Sequence, residues 1–247
     1  MGLSAMAQST NPLLERRYNT PYEIPPFEKI TTDNYREAFL RGMEEQKKEI
    51  DAIVDNAETP TFQNTIAALD RSGQLLNRAA GVFYGLSRSC STPELQNLES
   101  ELSPLLSAHS DYMNMNEGLF LRVKSVYDGQ DKLNLNTEEK RLLEKTYKGF
   151  VRGGAMLDDA KKQRRSEINQ QLAKLQLQFN QNLMHDTNNS YVTVSDAKEL
   201  EGLPEADIQK AAALAERTGA KGQYRFNMQR PSCNPVLQYA KNRDPAI

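Results

Sequence analysis

The sequence predicts a mainly α-helical fold, a multi-helix bundle carrying a small two-stranded β insert near the C-terminus. Three observations carry that prediction. Apolar residues recur at spacings of three and four through most of residues 31–185, the signature of helices with one buried face. Threonines and asparagines with oxygen acceptors stand ahead of these runs, where helix N-caps belong. The period changes to strand-like only at Ser190–Val194 and Gln223–Met228.

The elements follow in order. Residues 8–30 read as an extended, proline-rich lead-in, because Pro12, Pro21, Pro25 and Pro26 all disfavour helix. Phe27 and Ile30 are expected to anchor it. Thr31 or Thr32 caps a first helix whose face carries Tyr35, Phe39, Met43, Ile50 and Ile53. Thr59-Pro60 breaks the pattern and Thr61 can cap again. Phe62, Ile66, Leu69, Leu76, Ala80 and Phe83 then predict one continuous second helix, with Gly73 and Gly81 inside it. Each glycine costs about 1 kcal/mol relative to alanine, so close helix packing is expected there.

Thr92-Pro93-Glu94 is a helix start with proline at the first position. Leu95, Leu98, Leu102, Leu105, His109 and Tyr112 form its seam, and Pro104 predicts a kink or break within it. Asp128-Gly129 ends this helical region. Asn136-Thr137-Glu138-Glu139 opens another, closing near Gly153-Gly154. Ile168, Leu172, Leu175, Phe179 and Leu183 mark a long helix from about 157 to 185, with Asp158 and Asp159 in its first turn. Pro204–Arg217 reads as a short helix closed by Gly219, between the two strands. Strand orientation stays open. Ser232–Tyr239 starts a further helix. The domain boundaries expected are 1–30 for the lead-in, 31–185 for a helical domain, and 186–247 for the start of a strand–helix–strand subdomain.

Composition narrows the function. The 247 residues are 38% hydrophobic, enough for a core, and the net charge of -2 argues against a general nucleic-acid binder. No apolar run approaches the roughly 20 residues that span a bilayer, so neither nucleic acid nor membrane is expected as a partner. At the N-terminus Ala5-Met6-Ala7 has the small-x-small pattern of a signal cleavage site without the charged and apolar regions that precede one. If residues 1–7 are a signal remnant the protein is periplasmic or secreted; otherwise it is cytoplasmic.

Chemistry-bearing residues are sparse. His109 and His185 are the only histidines and lie 76 positions apart, so the i, i+4 pair that supplies two zinc ligands cheaply is unavailable. His109 reads as a packed core histidine, and His185 as a helix C-terminal residue. Cys90 and Cys233 read as unpaired thiols. The adjacent carboxylates Glu44-Glu45, Glu138-Glu139 and Asp158-Asp159 do not face each other on a helix, so none reads as an acid/base pair. Ser87, Ser89 and Ser91 around Cys90 lack a neighbouring base. Lys161, Lys162, Arg164 and Arg165 read as a solvated helix face.

Several segments are more specific together than any is alone. NPLLERRYNTPYEIPPFEKITTDNYREAF, ETPTFQNTIAALDRSG, FVRGGAML, LQLQFNQNL, ELEGLPE and NPVLQYAKNRD resemble the thimet-oligopeptidase and peptidyl-dipeptidase family of zinc metallopeptidases, in the region ahead of its catalytic half. The lead-in is similar to that of the bacterial peptidyl-dipeptidase branch. The resemblance implies a mostly helical ellipsoid whose two halves enclose a deep channel. It also implies a zinc ion on the far half, held by the two histidines of an H-E-x-x-H and a later glutamate, with the glutamate of the motif activating water.

No H-E-x-x-H occurs in these 247 residues, so no catalytic, cofactor-binding or metal-ligating residue carries over. Zinc is expected in the parent protein and not on this chain. Short peptides are expected to be engaged through the catalytic half, which is missing here. After NRD the family continues as a charged helix, whereas this chain reads Pro245-Ala246-Ile247, which suggests truncation or a frame change near Asp244. The alternative is a free-standing helical module that binds peptides or a partner protein without catalysis. Either reading predicts exposed apolar surface.

Overall fold

A computed structural model of the protein describes residues 11–242. The signal-remnant reading of residues 1–7 and the departure at Pro245–Ile247 lie outside those residues. The chain divides into two compact units, the first ending at Leu175 and the second beginning at Gln176.

The first unit opens with short 3-10 turns at Pro12–Leu14, Pro21–Glu23 and Phe27–Lys29. The anchor of this lead-in differs from the expected one. Leu13 is fully buried and Asn11 donates to the Asn34 carbonyl at 2.9 Å, while Phe27 is exposed; Ile30 is partly buried against the core. Hydrogen bonds fix that turn as well as burial: Asn11 also donates to Glu37 at 3.0 Å, and Arg78 donates to the Leu13 carbonyl at 3.2 Å.

Helix α1 spans Thr32–Val54. Thr31 caps it: its hydroxyl accepts from Asn34 N–H while the Asn34 side chain accepts from Thr31 N–H. The expected second helix is in fact three pieces. Residues Phe62–Ala67 form a π-helical turn capped by Thr61, α2 is the single turn Ala68–Asp70, and α3 runs Gln74–Ser89. Gly73 separates them at φ 71, a left-handed conformation that favours glycine. It is therefore a junction residue rather than a helix-interior one.

α4 (Pro93–Asn114) begins at Thr92, whose hydroxyl accepts from Leu95 N–H. Of the kink or break expected at Pro104, the break is absent: the helix is continuous there. Pro104 is exposed while Leu98 and Leu102 are buried, so the forgone backbone bond lies on the wet side, where solvent can replace it. The helical region then breaks at Asn116, which caps α5 (Glu117–Asp128). α6 (Thr137–Gly153) starts with a capping box between Asn136 and Glu139 and stops at Gly154, φ 92. α7 spans Asp159–Asn189 and crosses the division between the units.

Two cores fill the first unit. Tyr35, Phe39, Met43, Phe83, Leu98 and Leu102 centre one, with Tyr35 and Phe39 meeting Phe83 edge-to-face at 5.2 and 5.5 Å between ring centroids. Ile50, Ile66, Leu119, Val123, Leu143 and Phe150 centre the other. Phe120, Tyr147 and Tyr127 extend it as an aromatic stack.

The second unit holds β1 (Tyr191–Val194), α8 (Glu205–Arg217), β2 (Tyr224–Asn227) and α9 (Arg230–Tyr239). The strands are antiparallel, with Val192 opposite Phe226 and Val194 opposite Tyr224. Val194, Leu200, Leu203, Ala211 and Phe226 form its own core.

Gly42 sets how closely α1 and α3 approach. A Cβ there would lie 2.8 Å from both the Cα and the N of Leu76, which are backbone atoms that cannot rotate away. Gly42→Ala is expected to cost about 1–3 kcal/mol through overpacking. Gly81→Ala, at a position with nothing within 4 Å, is expected to be neutral or to stabilise by up to about 1 kcal/mol. Urea denaturation of both variants checks this; equal midpoints would contradict it.

Candidate functional site

α1 presents Gln46 inward between the two cores, because it lies one turn from both Met43 and Ile50. Its amide is buried and satisfied from both ends. Gln46 Nε2 donates to Ser72 Oγ at 3.2 Å, and Ser72 Oγ donates to the Leu69 carbonyl at 2.8 Å. That amide orientation leaves Gln46 Oε1 as acceptor, so His109 Nε2, 2.8 Å away, must carry the proton and donate. His109 is 3% exposed, and its Nδ1 has no hydrogen-bond partner. Burial, followed by the positive charge of Lys47, holds its pKa below the ordinary 6.5.

This Ser–Gln–His chain cannot act as a nucleophile and base. The amide between Ser72 and His109 does not relay a proton, the histidine lone pair is on Nδ1 rather than toward the serine, and the serine proton is committed to a carbonyl. It is a joint that fixes α1, α4 and the turn before α3. Gly73 completes that joint: Glu49 Oε2 accepts from Gly73 N–H at 2.7 Å.

Further polar residues act as clamps. Arg122 on α5 is buried, and its Nη1 donates to the Asn56 carbonyl at 2.6 Å and the Glu58 carbonyl at 3.3 Å, holding the loop after α1. Asn169 on α7 donates to Asp111 Oδ1 on α4 at 2.6 Å. Tyr112 donates to Asp51 on α1, and that bond is the main reason its hydroxyl is pushed up to about 12. None of these clamps has a local sequence signature; the residues meet only because the helices pack.

The residues singled out by sequence are placed as follows. Glu44 pairs with Lys48 at 2.6 Å and Glu45 with Arg41 at 3.0 Å, as ordinary surface pairs. Glu139 is spent on its capping box, and Asp158 accepts from Lys161 N–H at the start of α7. Ser89 Oγ donates to the Gly85 carbonyl, Ser91 Oγ accepts from Gln96, and Cys90 ends α3. Both cysteines are free thiols. In the basic run, Lys161 pairs with Asp158 and Arg164 with Glu167. His185 is exposed, with Nδ1 3.5 Å from Asp186 Oδ1.

A cleft of about 480 Å³ opens in the first unit between α1 and the π turn, lined by Glu49, Asn56, Gln63, Asn64 and Arg71. Its amides and charged tips suit hydrogen bonding to a small polar group, and no histidine or cysteine lines it. Among the described residues, no group of three or more His, Cys, Asp and Glu is arranged to hold a metal ion. No described helix is long and apolar enough to cross a membrane.

Two consequences can be measured. His109 is neutral when folded and its pKa is depressed, so the unfolded state binds the extra proton. Stability is therefore expected to be full above the unfolded value near 6.5 and to fall as pH drops below it. His109→Phe should remove that part of the pH dependence; urea midpoints at pH 5 and pH 7.5 that shift alike in both proteins would contradict it. Arg122→Met removes the charge-assisted hydrogen bonds that hold the loop after α1 and is expected to cost about 1–3 kcal/mol, read from the same denaturation curves.

The sequence comparisons bear on function. The chain is 34% identical over 235 residues to a dipeptidyl carboxypeptidase of Salmonella typhimurium and 34% identical over 233 residues to one of Escherichia coli. It is 30% identical over 234 residues to oligopeptidase A of Escherichia coli. These matches cover 94–95% of this chain and 34% of each relative, so the chain spans about a third of the length of the curated relatives it matches. No protein-family model matches. The likeness extends over nearly the whole chain, and the dipeptidyl carboxypeptidases and oligopeptidases that it matches are members of the thimet-oligopeptidase and peptidyl-dipeptidase family.

Proposed function

We propose that this chain is the N-terminal, helical wall of a zinc-dependent peptidase that hydrolyses short peptides, in the manner of a peptidyl-dipeptidase or oligopeptidase. In this reading residues 1–30 are a lead-in, 31–185 the helical domain, and 186–247 the start of the next subdomain. The wall restricts access to a channel, and the chemistry belongs to polypeptide outside this chain. The observation that carries the reading is the 34% identity to dipeptidyl carboxypeptidase across 95% of the chain, in a sequence that holds no H-E-x-x-H.

Among the described residues, the two histidines do not fit a catalytic zinc ion. His109 Nε2 is a committed donor to Gln46, and His185 has a single carboxylate neighbour. A catalytic site of this metal takes three protein ligands and leaves a position for water. What the chain contributes is shape and rigidity: helices locked by buried polar joints, which hold a wall in register more firmly than apolar packing alone.

Purified chain with added zinc is expected to release no dipeptide from a chromogenic peptide substrate, with or without chelator. Adding the part of Escherichia coli dipeptidyl carboxypeptidase outside the matched region is expected to restore turnover that requires both pieces. Chelator-sensitive hydrolysis by the chain alone would overturn the assignment.

A further inference from the structure

Helix α7 is built inside out. Ile168, Leu172, Leu175, Phe179 and Leu183 recur at helical spacing, yet they are 40% to 66% exposed. The half-covered residues of its stretch in the first unit are Lys162, Arg165, Ser166, Asn169 and Ala173. Asn169 makes the 2.6 Å bond that ties this stretch to Asp111. Within the first unit the helix thus seats itself by polar, charged and small side chains and turns its apolar stripe outward, the reverse of a helix that ends at its own core.

Charge along α7 is as uneven as its hydrophobicity. Six of the nine residues from Asp159 to Glu167 are charged, whereas Lys174 is the only charged residue from Ile168 to Met184. Loss of charge around apolar anchors, with a polar amide rim, is the composition of a protein interface core. A membrane-surface helix would carry lysines and arginines along its polar flank, and here that flank is glutamine and asparagine.

We infer that this stripe docks against the polypeptide making up the other two thirds of the relatives' length, so that α7 is the seam between wall and catalytic part. The inference rests on the proposed function. Relatives of this chain carry the matched sequence inside molecules about three times as long, which supplies a covering surface in the same polypeptide.

The test uses Escherichia coli dipeptidyl carboxypeptidase with its matched region replaced by this chain, compared with the chain alone. Hydroxyl-radical footprinting by mass spectrometry reads Leu172, Leu175 and Phe179. Severalfold lower oxidation in the chimera is expected, with the chain alone monomeric by sedimentation. Equal oxidation in a folded chimera overturns the seam, even if that chimera is active and the proposed function stands. Protection in a folded chimera that binds zinc but lacks activity leaves the seam and sinks the proposed function. A dimer of the chain alone, with the same residues protected, assigns the stripe to self-association and overturns the seam. If the chimera does not fold, Leu172→Gln/Phe179→Gln in the chain alone decides: an unchanged melting temperature supports an outward docking face, and a large drop overturns it by showing that the stripe serves the chain's own core.

Discussion

Between Met43, which belongs to one core, and Ile50, which belongs to the other, helix α1 buries an amide that must be satisfied from both ends. Gln46 meets that demand with Ser72 on one side and His109 on the other. An unsatisfied buried amide costs about 1–3 kcal/mol, so the turn carrying Ser72 and the helix carrying His109 are held to one geometry relative to α1. The left-handed Gly73 lies against the same joint, where an added Cβ would collide with the Gln46 side chain. Apolar cores tolerate sliding more easily than hydrogen-bonded pairs do, and this joint lies where sliding of one core past the other would begin.

Local chemistry was well marked in the sequence. Thr31, Thr92 and Asn136 cap the helices they were expected to cap, and the change of period at Tyr191 and Tyr224 marks real strands. What the sequence hid depends on tertiary context. The spacing of Phe62, Ile66 and Leu69 is α-helical, and nothing in it marks the rare π turn that Phe62–Ala67 adopts. Gly73 reads as a helix-interior cost until its φ of 71 shows it to be a junction. Pro104 is harmless because it faces solvent, which periodicity does not reveal.

The polar joints were equally invisible. Gln46 and His109 are 63 residues apart, and Arg122 reaches a carbonyl 66 residues away. No spacing rule connects such pairs. His109 was legible as a packed histidine but not as the end of a hydrogen-bond chain. Of the carboxylates and serines marked in the sequence, Glu44 is in a surface pair, Glu139 in a cap and Ser89 in a helix-end hydrogen bond.

A rigid wall with an outward apolar stripe is a structure suited to shaping another surface rather than to reacting itself. The most direct test is to replace the matched region of Escherichia coli dipeptidyl carboxypeptidase with residues 1–247 and compare hydrolysis of a pentapeptide with that of a folded protein. The account predicts that the chimera cleaves the pentapeptide and spares the folded protein. A chimera that folds and binds zinc yet cleaves the folded protein as readily as the pentapeptide would contradict it.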